Sequence, residues 1–309
     1  MTFSRVLITG SCGLLGQELV GSLSRVPDYD VLATARGTAP LYPDASVGYA
    51  SLDVTDVRRV KEVIEDFAPH VVVNCAALTR VDTCETEREL CWQVNVEAVE
   101  NLVRLCRNAG TKLIQISTDF IFDGRDGPYR EDARPNPVNF YGKSKLAAEN
   151  AVRQLNPDNW AIARTVMVYG TGNHLRHENI AAWMLNRLSR RDNIRVYMDQ
   201  FRSPTYVADL AQGIERIIRY NRSGVYHLSG RECVSIHDFA VALAQEFELD
   251  TSLIHPVTSQ EMERAAQRPL RTGFIILKAE TELGFRPRSL RQSLQDLKSR
   301  IELSVSQSS

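Results

Sequence analysis

Tyr141 and Lys145 stand four residues apart in Tyr141-Gly142-Lys143-Ser144-Lys145, a spacing that places both side chains on one face of a helix. A free phenol titrates near pH ~10, and an ammonium held beside it favours the phenolate, drawing it toward the working range of a proton donor. By itself the spacing usually marks a solvated helix face. Two other segments change that reading: a glycine-rich turn, Gly10-Ser11-Cys12-Gly13-Leu14-Leu15-Gly16, lies upstream, and the polar triplet Ser117-Thr118-Asp119 closes an apolar run.

The turn has a physical purpose. An apolar run ending at Thr9 must reverse into a helix beginning near Gly13, and glycines at 10, 13 and 16 let backbone N–H groups of Cys12, Leu14 and Leu15 and the helix N-terminus face a pyrophosphate without interference from Cβ atoms. The spacing Gly-x-x-Gly-x-x-Gly departs from the Gly-x-Gly-x-x-Gly of the usual dinucleotide fingerprint. About twenty residues on, the second run ends in Thr34-Ala35-Arg36, where NAD-binding folds commonly carry an acid against the ribose 2′-hydroxyl. With Ala35 there and a guanidinium at Arg36 suited to a 2′-phosphate, the sequence favours NADP (NADPH), with NAD second. Asp53 and Val54 close the third run, and Ala76 and Ala77 follow the fourth. These positions border a ligand bound outside the carboxyl ends of the strands. There Asp53 would accept from the adenine amino group, and the two alanines leave room for the cofactor chain.

Elements must hold these groups in place. β-branched apolar runs at 6–9, 31–34, 48–52, 71–74, 113–117 and 161–166 alternate with segments at 14–23, 57–67, 90–106 and 142–152 whose apolar residues recur three or four apart. Such alternation predicts an α/β, doubly wound parallel sheet, Rossmann-like, with helices on both faces. After about Tyr169 the pattern becomes mixed: helices at 179–190, 207–219, from about 235 and after 289, with strand-like 194–197 and 224–229. The expected organisation is a dinucleotide-binding domain over 1–170, a smaller, partly interleaved C-terminal substrate lobe over 171–303, and a frayed tail over 304–309.

The chain has 309 residues, 43% apolar and 24% charged, with a net charge of −1. That balance supplies no whole-molecule field for nucleic acid or a membrane surface, so the expected partner is a small molecule, with a homodimer as the one protein assembly allowed for. The six cysteines form no Cys-x-x-Cys pair and no zinc-like cluster with histidine, which reads as reduced packing residues and no metal. His174 and His177, three apart, lack a third ligand in reach and read as a loop at the site mouth. With no signal-peptide core before or within Arg5-Val-Leu-Ile-Thr9 and no apolar run of about 18 residues, the expected location is cytoplasmic.

Taken together, the glycine turn and the Tyr-x-x-x-Lys pair make the chain resemble an extended short-chain dehydrogenase/reductase over essentially its whole length. Within that superfamily, Ile116-Ser-Thr-Asp-Phe-Ile-Phe-Asp-Gly124, Tyr129-Arg-Glu131, Pro135-x-Pro137, Tyr141-Gly-Lys-Ser-Lys145, Asp199-Gln-Phe-Arg-Ser-Pro-Thr205 and Gln267-Arg-Pro269 are similar to the dTDP-4-dehydrorhamnose reductases. The resemblance implies that Thr118, Tyr141 and Lys145 are catalytic, with Tyr141 as proton donor and Lys145 also holding the nicotinamide ribose. It implies a 4-keto nucleotide sugar, dTDP-4-dehydrorhamnose foremost, contacted by Thr118, Asp119, Arg202 and Arg268, with Arg271 a weaker candidate for the diphosphate.

Two departures matter. Sugar-nucleotide 4,6-dehydratases of the superfamily carry Thr-Asp-Glu where this chain has Thr118-Asp119-Phe120, and phenylalanine cannot exchange protons, which disfavours water elimination. Relatives also commonly show Leu-Asp shortly before a lysine, whereas Gly273-Phe-Ile-Ile-Leu277 precedes Lys278. The rival expectations are an NAD(P)-dependent nucleotide-sugar epimerase and a non-catalytic regulatory subunit like the methionine adenosyltransferase beta subunit, which resembles the same family.

Overall fold

Successive residues of a strand point to opposite faces of its sheet, and the first strand sorts its apolar residues accordingly: Val6 and Ile8 enter one core, Leu7 the other. Val71 and Val73 against Val72, and Ala161 and Ala163 against Ile162, divide in the same way. A sheet buried on both faces needs helices on both, and that is what a computed structural model shows for the described residues 4–37, 47–175 and 177–306.

Strands β1 (Ser4–Thr9), β2 (Tyr29–Ala35), β3 (Gly48–Ser51), β4 (Val71–Asn74), β5 (Lys112–Thr118) and β6 (Trp160–Thr165), with a late strand at Gly224–His227, form a seven-stranded sheet. Its order is Gly224–His227, β6, β5, β4, β1, β2, β3, and all pairs are parallel. The fold is the expected doubly wound α/β class, and the order reverses between β1 and β4, the place where such sheets open a ligand crevice.

Helices α1 (Leu14–Leu23) and α2 (Val57–Phe67) fall at the expected residues. The expected helix over 90–106 is instead subdivided: α3 (Val81–Thr86) and α4 (Arg88–Trp92) precede a π-helical turn, Gln93–Glu97, that runs into α5 (Ala98–Ala109). Buried Asn95 within the turn binds the Leu78 backbone at both ends of its amide, 2.8 and 3.0 Å, so a tertiary bond sets the local winding. Helix α6 (Phe140–Val152) completes this face with α2 and α5.

Helices α7 (Ile180–Ser189), α8 (Val207–Arg219), α9 (Ile236–Glu246), α10 (Leu277–Leu283) and α11 (Leu290–Ser306) follow. Leu210, Ile214 and Ile217 of α8 and Leu283 of α10 pack on the main sheet with α1, while α7, α9 and α11 share a separate core around Tyr169, Tyr206 and Phe239. The second half of the chain therefore contributes to both bodies. Where a frayed tail was expected from Ser304, the last helix continues to Ser306, and 307–309 lie outside the described residues. Among the described residues no helix is long and apolar enough to cross a membrane.

Candidate active site

The crevice begins at Gly10, whose φ of +64° is the left-handed region that favours glycine. A Cβ there would lie 2.8 Å from the Ala76 nitrogen, so the turn is pressed against the end of β4. At Gly16 a Cβ would meet the Gly10 carbonyl oxygen at 2.4 Å and the Ser11 Cα at 2.6 Å. This contact seats α1 directly behind the turn. Gly13 is the N-cap of α1 and supplies no side-chain cap, which leaves the first N–H groups of the helix, at Leu14 and Leu15, facing outward for an anion.

Arg36 is exposed at the end of β2. Burial pushes the Asp53 carboxyl up, but bonds from the Thr55 backbone and hydroxyl outweigh it and hold the group below its ordinary value, with a smaller contribution from the Arg36 charge. Those bonds, 2.9 and 2.8 Å, both reach one oxygen of Asp53. Val54 is buried and Ala76 and Ala77 are half-buried along the same edge. Glycines where Cβ atoms would collide, an uncapped helix start and a cation at the second strand suit a dinucleotide with a phosphorylated ribose.

Thr118 ends β5, and α6 starts beside it because Asn139 accepts from the Gly142 N–H at 2.8 Å and caps the helix. A Cβ at Gly142 would fall 2.1 Å from the Phe120 carbonyl oxygen, so only glycine lets the helix start this close to the turn after β5. This approach brings the Thr118 hydroxyl near enough to the Tyr141 phenol to act on its titration. Both side chains are buried, as is Lys145.

From the Tyr-x-x-x-Lys spacing alone, the ammonium should draw the phenol down. Instead burial pushes Tyr141 above its ordinary value, opposed by the Thr118 hydroxyl and reinforced by Asp119, Cys84 and Cys91. Desolvation disfavours the charged phenolate, and the charged groups that act on the phenol are acids, which disfavour it further. Tyr141 is thus held as the neutral phenol, the form that has a proton to give. Burial likewise lowers Lys145 to about 8, against the pull of Glu149, Cys75, Cys91 and Cys84.

Asp119 and the arginines make contacts the sequence did not reveal. The Asp119 carboxylate accepts from Thr118 at 3.1 Å and from the Thr272 hydroxyl, and lies 3.6 Å from Arg202 Nε. Burial raises its pKa, with Arg202, Thr272 and Thr118 opposing. Arg202 is enclosed: Nη1 donates to the carbonyls of Phe201 and Leu270 at 2.8 and 3.1 Å, and Nη2 to Pro269 at 2.7 Å. Arg268 forks onto Asp82 of α3 at 2.8 and 3.1 Å. Arg271, the least favoured of the three in the sequence, is the exposed one, with its guanidinium 5.0 Å from the Phe201 ring centre. A diphosphate would meet Arg271 without displacing an internal bond. Phe120 packs edge-on to Tyr141 with 5.9 Å between ring centres and places no titratable group there.

Residues 4–302 match the family described as the RmlD substrate binding domain. The chain belongs to that family. Members and neighbours differ in what they are named for. A dTDP-4-dehydrorhamnose reductase from Aggregatibacter actinomycetemcomitans is 32% identical over 97% of this chain and 100% of its own. Methionine adenosyltransferase 2 subunit beta of Xenopus laevis is 37% identical over 86% of this chain and 78% of its own. Among solved structures, dTDP-4-dehydrorhamnose reductase from Bacillus anthracis in complex with NADP superposes with a TM-score of 0.85 at 31% identity, covering 97% of this chain and 100% of that one.

Within this RmlD-family chain several site-building residues escaped the sequence reading. Thr9 donates to Asn74 at 2.6 Å and Asn74 to Gln115 at 2.8 Å, a buried polar ladder across β1, β4 and β5 at the crevice floor. Asn95 also donates to Ser144 of α6 at 3.1 Å, tying the π-helical turn to the helix that carries Tyr141 and Lys145. Polar residues inside apolar runs were the only available signal, because a buried polar group must find partners.

Proposed function

We propose that this protein is an NADPH-dependent oxidoreductase that reduces the keto group of a 4-keto nucleotide sugar, dTDP-4-dehydrorhamnose to dTDP-rhamnose being the favoured pair. The observation that carries the reading is that the end of β5 brings the Thr118 hydroxyl to the Tyr141 phenol, while Lys145, one turn farther along α6, is buried and acts on Cys75 at the end of β4, against which the glycine turn packs. NADPH, when bound, supplies the hydride. Tyr141 gives its phenolic proton to the carbonyl oxygen as negative charge develops there, and Thr118 orients that oxygen by hydrogen bonding. Lys145 binds the nicotinamide ribose hydroxyls and fixes the ring beside the substrate. Arg36 pairs with the 2′-phosphate, the N-terminus of α1 receives the pyrophosphate, and Asp119, Arg202 and Arg268 shape the sugar-nucleotide side together with exposed Arg271.

Likeness to reductases along the whole chain and to an NADP complex supports this reading, as does the absence of an acid at Phe120. Mixing purified protein with NADPH and a panel of 4-keto nucleotide sugars should bleach the nicotinamide absorbance with at least one of them; no consumption across the panel overturns the substrate assignment. The 37% identity to a methionine adenosyltransferase subunit favours a second reading, a regulatory subunit. A stable complex with a methionine adenosyltransferase, without NADPH consumption, would select it.

A further inference from the structure

Lys145 holds a cation inside the protein, and among the described residues no side chain or carbonyl is hydrogen-bonded to its ammonium. The carboxylate that acts on it is Glu149, one turn farther along α6, and that carboxylate is firmly fixed. Arg164 of β6 donates Nε to one oxygen of Glu149 and Nη2 to the other, both at 2.8 Å. Ser117, next to Thr118, donates to Glu149 at 2.6 Å, and Arg153 donates at 3.0 Å. Glu149 and Arg164 are respectively 0% and 1% exposed. Burying such a pair is not a route to stability that apolar residues could not match.

From this geometry we infer that Glu149 is a positioning residue for the site: clamped by Arg164, it keeps Lys145 an ammonium and anchors the end of β5 that presents Thr118. The inference rests on the reading that Lys145 contacts the bound dinucleotide. The groups that face Lys145 are Glu149 of its own helix, Cys75 after β4, Cys84 of α3 and Cys91 of α4. Of these Glu149 is already ionised below neutrality, while hydrogen bonding with Cys84 draws the Cys91 thiol down so that it adds negative charge only as pH rises through neutrality, equally in wild type and variants. Burial works against the Glu149 carboxylate, but Arg164, Ser117 and Arg153 outweigh it and hold its pKa below the ordinary glutamate value. Removing the negative charge of Glu149 should therefore make Lys145 easier to deprotonate. Removing the positive charge of Arg153 should make it harder. Arg153 keeps a third of its side chain exposed and lines an open surface depression with Asp132, Arg134 and Asn150, so Arg153→Gln leaves the core intact.

The test measures NADPH affinity by nicotinamide fluorescence from pH 7 to 10, a readout that needs no sugar substrate. Wild-type affinity should fall as pH rises through about 8, where Lys145 loses its proton. In Glu149→Gln the midpoint should drop by about one pH unit, making binding about fivefold weaker than wild type at pH 8. In Arg153→Gln it should move the other way by a smaller amount. A purely structural role for Glu149 would weaken binding equally at every pH. Coincident midpoints, or both variants moving in the same direction, overturn the inference. If Glu149→Gln does not fold, an unmoved midpoint in Arg153→Gln overturns it alone. Failure of the wild type to bind NADPH at any pH removes the dinucleotide reading, and the inference with it. NADPH binding without sugar reduction removes only the proposed activity.

Discussion

Arg202, from the second half of the chain, lies with Nε 3.6 Å from Oδ2 of Asp119, the residue after β5, and both are buried. The pair joins the segment at Phe201–Arg202 to the end of β5. Removing one partner of a buried pair leaves the other charge uncompensated. Arg202→Ala should lower unfolding free energy by about 3–5 kcal/mol, read from the urea midpoint. A loss under 1 kcal/mol would mean that Asp119 is already neutral in the folded protein.

Tyr141→Phe removes the proposed proton donor and keeps the ring that packs on Phe120. Turnover should fall by about 10²–10⁴, with NADPH affinity and thermal midpoint near wild type. Turnover that survives the change would shift the donor role to another group.

Lys145 bears the burden of an ammonium kept out of water, and the sign of its pH linkage follows. Its folded pKa is lowered to about 8, whereas the unfolded chain keeps the ordinary lysine value of 10.5. Below about 8 both states are protonated, and the folded state carries the full desolvation penalty. Between the two values the unfolded state binds the extra proton, so stability rises with pH. Lys145→Met should therefore stabilise the protein at pH 7 by about 2 kcal/mol while abolishing reduction. That advantage should shrink as pH climbs from 8 toward 10.5. Urea titrations at several pH values would show a constant difference if burial did not set this pKa.

Gly16 and Gly13 offer a contrast within one turn. An added methyl at Gly16 meets backbone atoms at 2.4 and 2.6 Å, whereas at Gly13 the nearest atom is 3.2 Å away. Gly16→Ala should displace α1 from the turn, at about 1–3 kcal/mol, and weaken NADPH binding more than tenfold. Gly13→Ala should be markedly milder. Calorimetric titration of both variants with NADPH compares them directly, and equal effects would mean that the turn relaxes freely.

The proposed role of Arg36 is to select the phosphorylated cofactor. Arg36→Ala should weaken NADPH binding by about tenfold or more, the worth of a charge-assisted contact of about 1.5–3 kcal/mol. NADH affinity should stay unchanged. Parallel fluorescence titrations decide it, and equal losses for both nucleotides would place the guanidinium away from the 2′-phosphate.

The parts of the fold written in local periodicity were legible from the chain. Alternation in Val6–Thr9 and Val71–Asn74 and the three-to-four spacing of Leu14–Leu23 and Val57–Phe67 were enough to place those elements to within a residue or two. Residues 90–106 were legible as helical, but the π-helical turn at Gln93–Glu97 was not, because the winding there follows bonds between Asn95 and Leu78 across the chain. The arginines show the same limit in the site. Arg202 and Arg268 read as cations for a substrate diphosphate because their acceptors, the backbone near Pro269 and the carboxylate of Asp82, are distant in sequence.

The sequence by itself determined the sheet class, the glycine turn and the candidacy of Thr118, Tyr141 and Lys145, because backbone periodicity and helix spacing are local properties of residue type. Tertiary structure decided the protonation states and the partners. Burial keeps Tyr141 a neutral phenol and depresses Lys145, and long-range pairing commits Glu149 to Arg164 and Asp119 to Arg202. Desolvation and ion pairing depend on which distant segments pack together, and the order of residues along the chain does not record that.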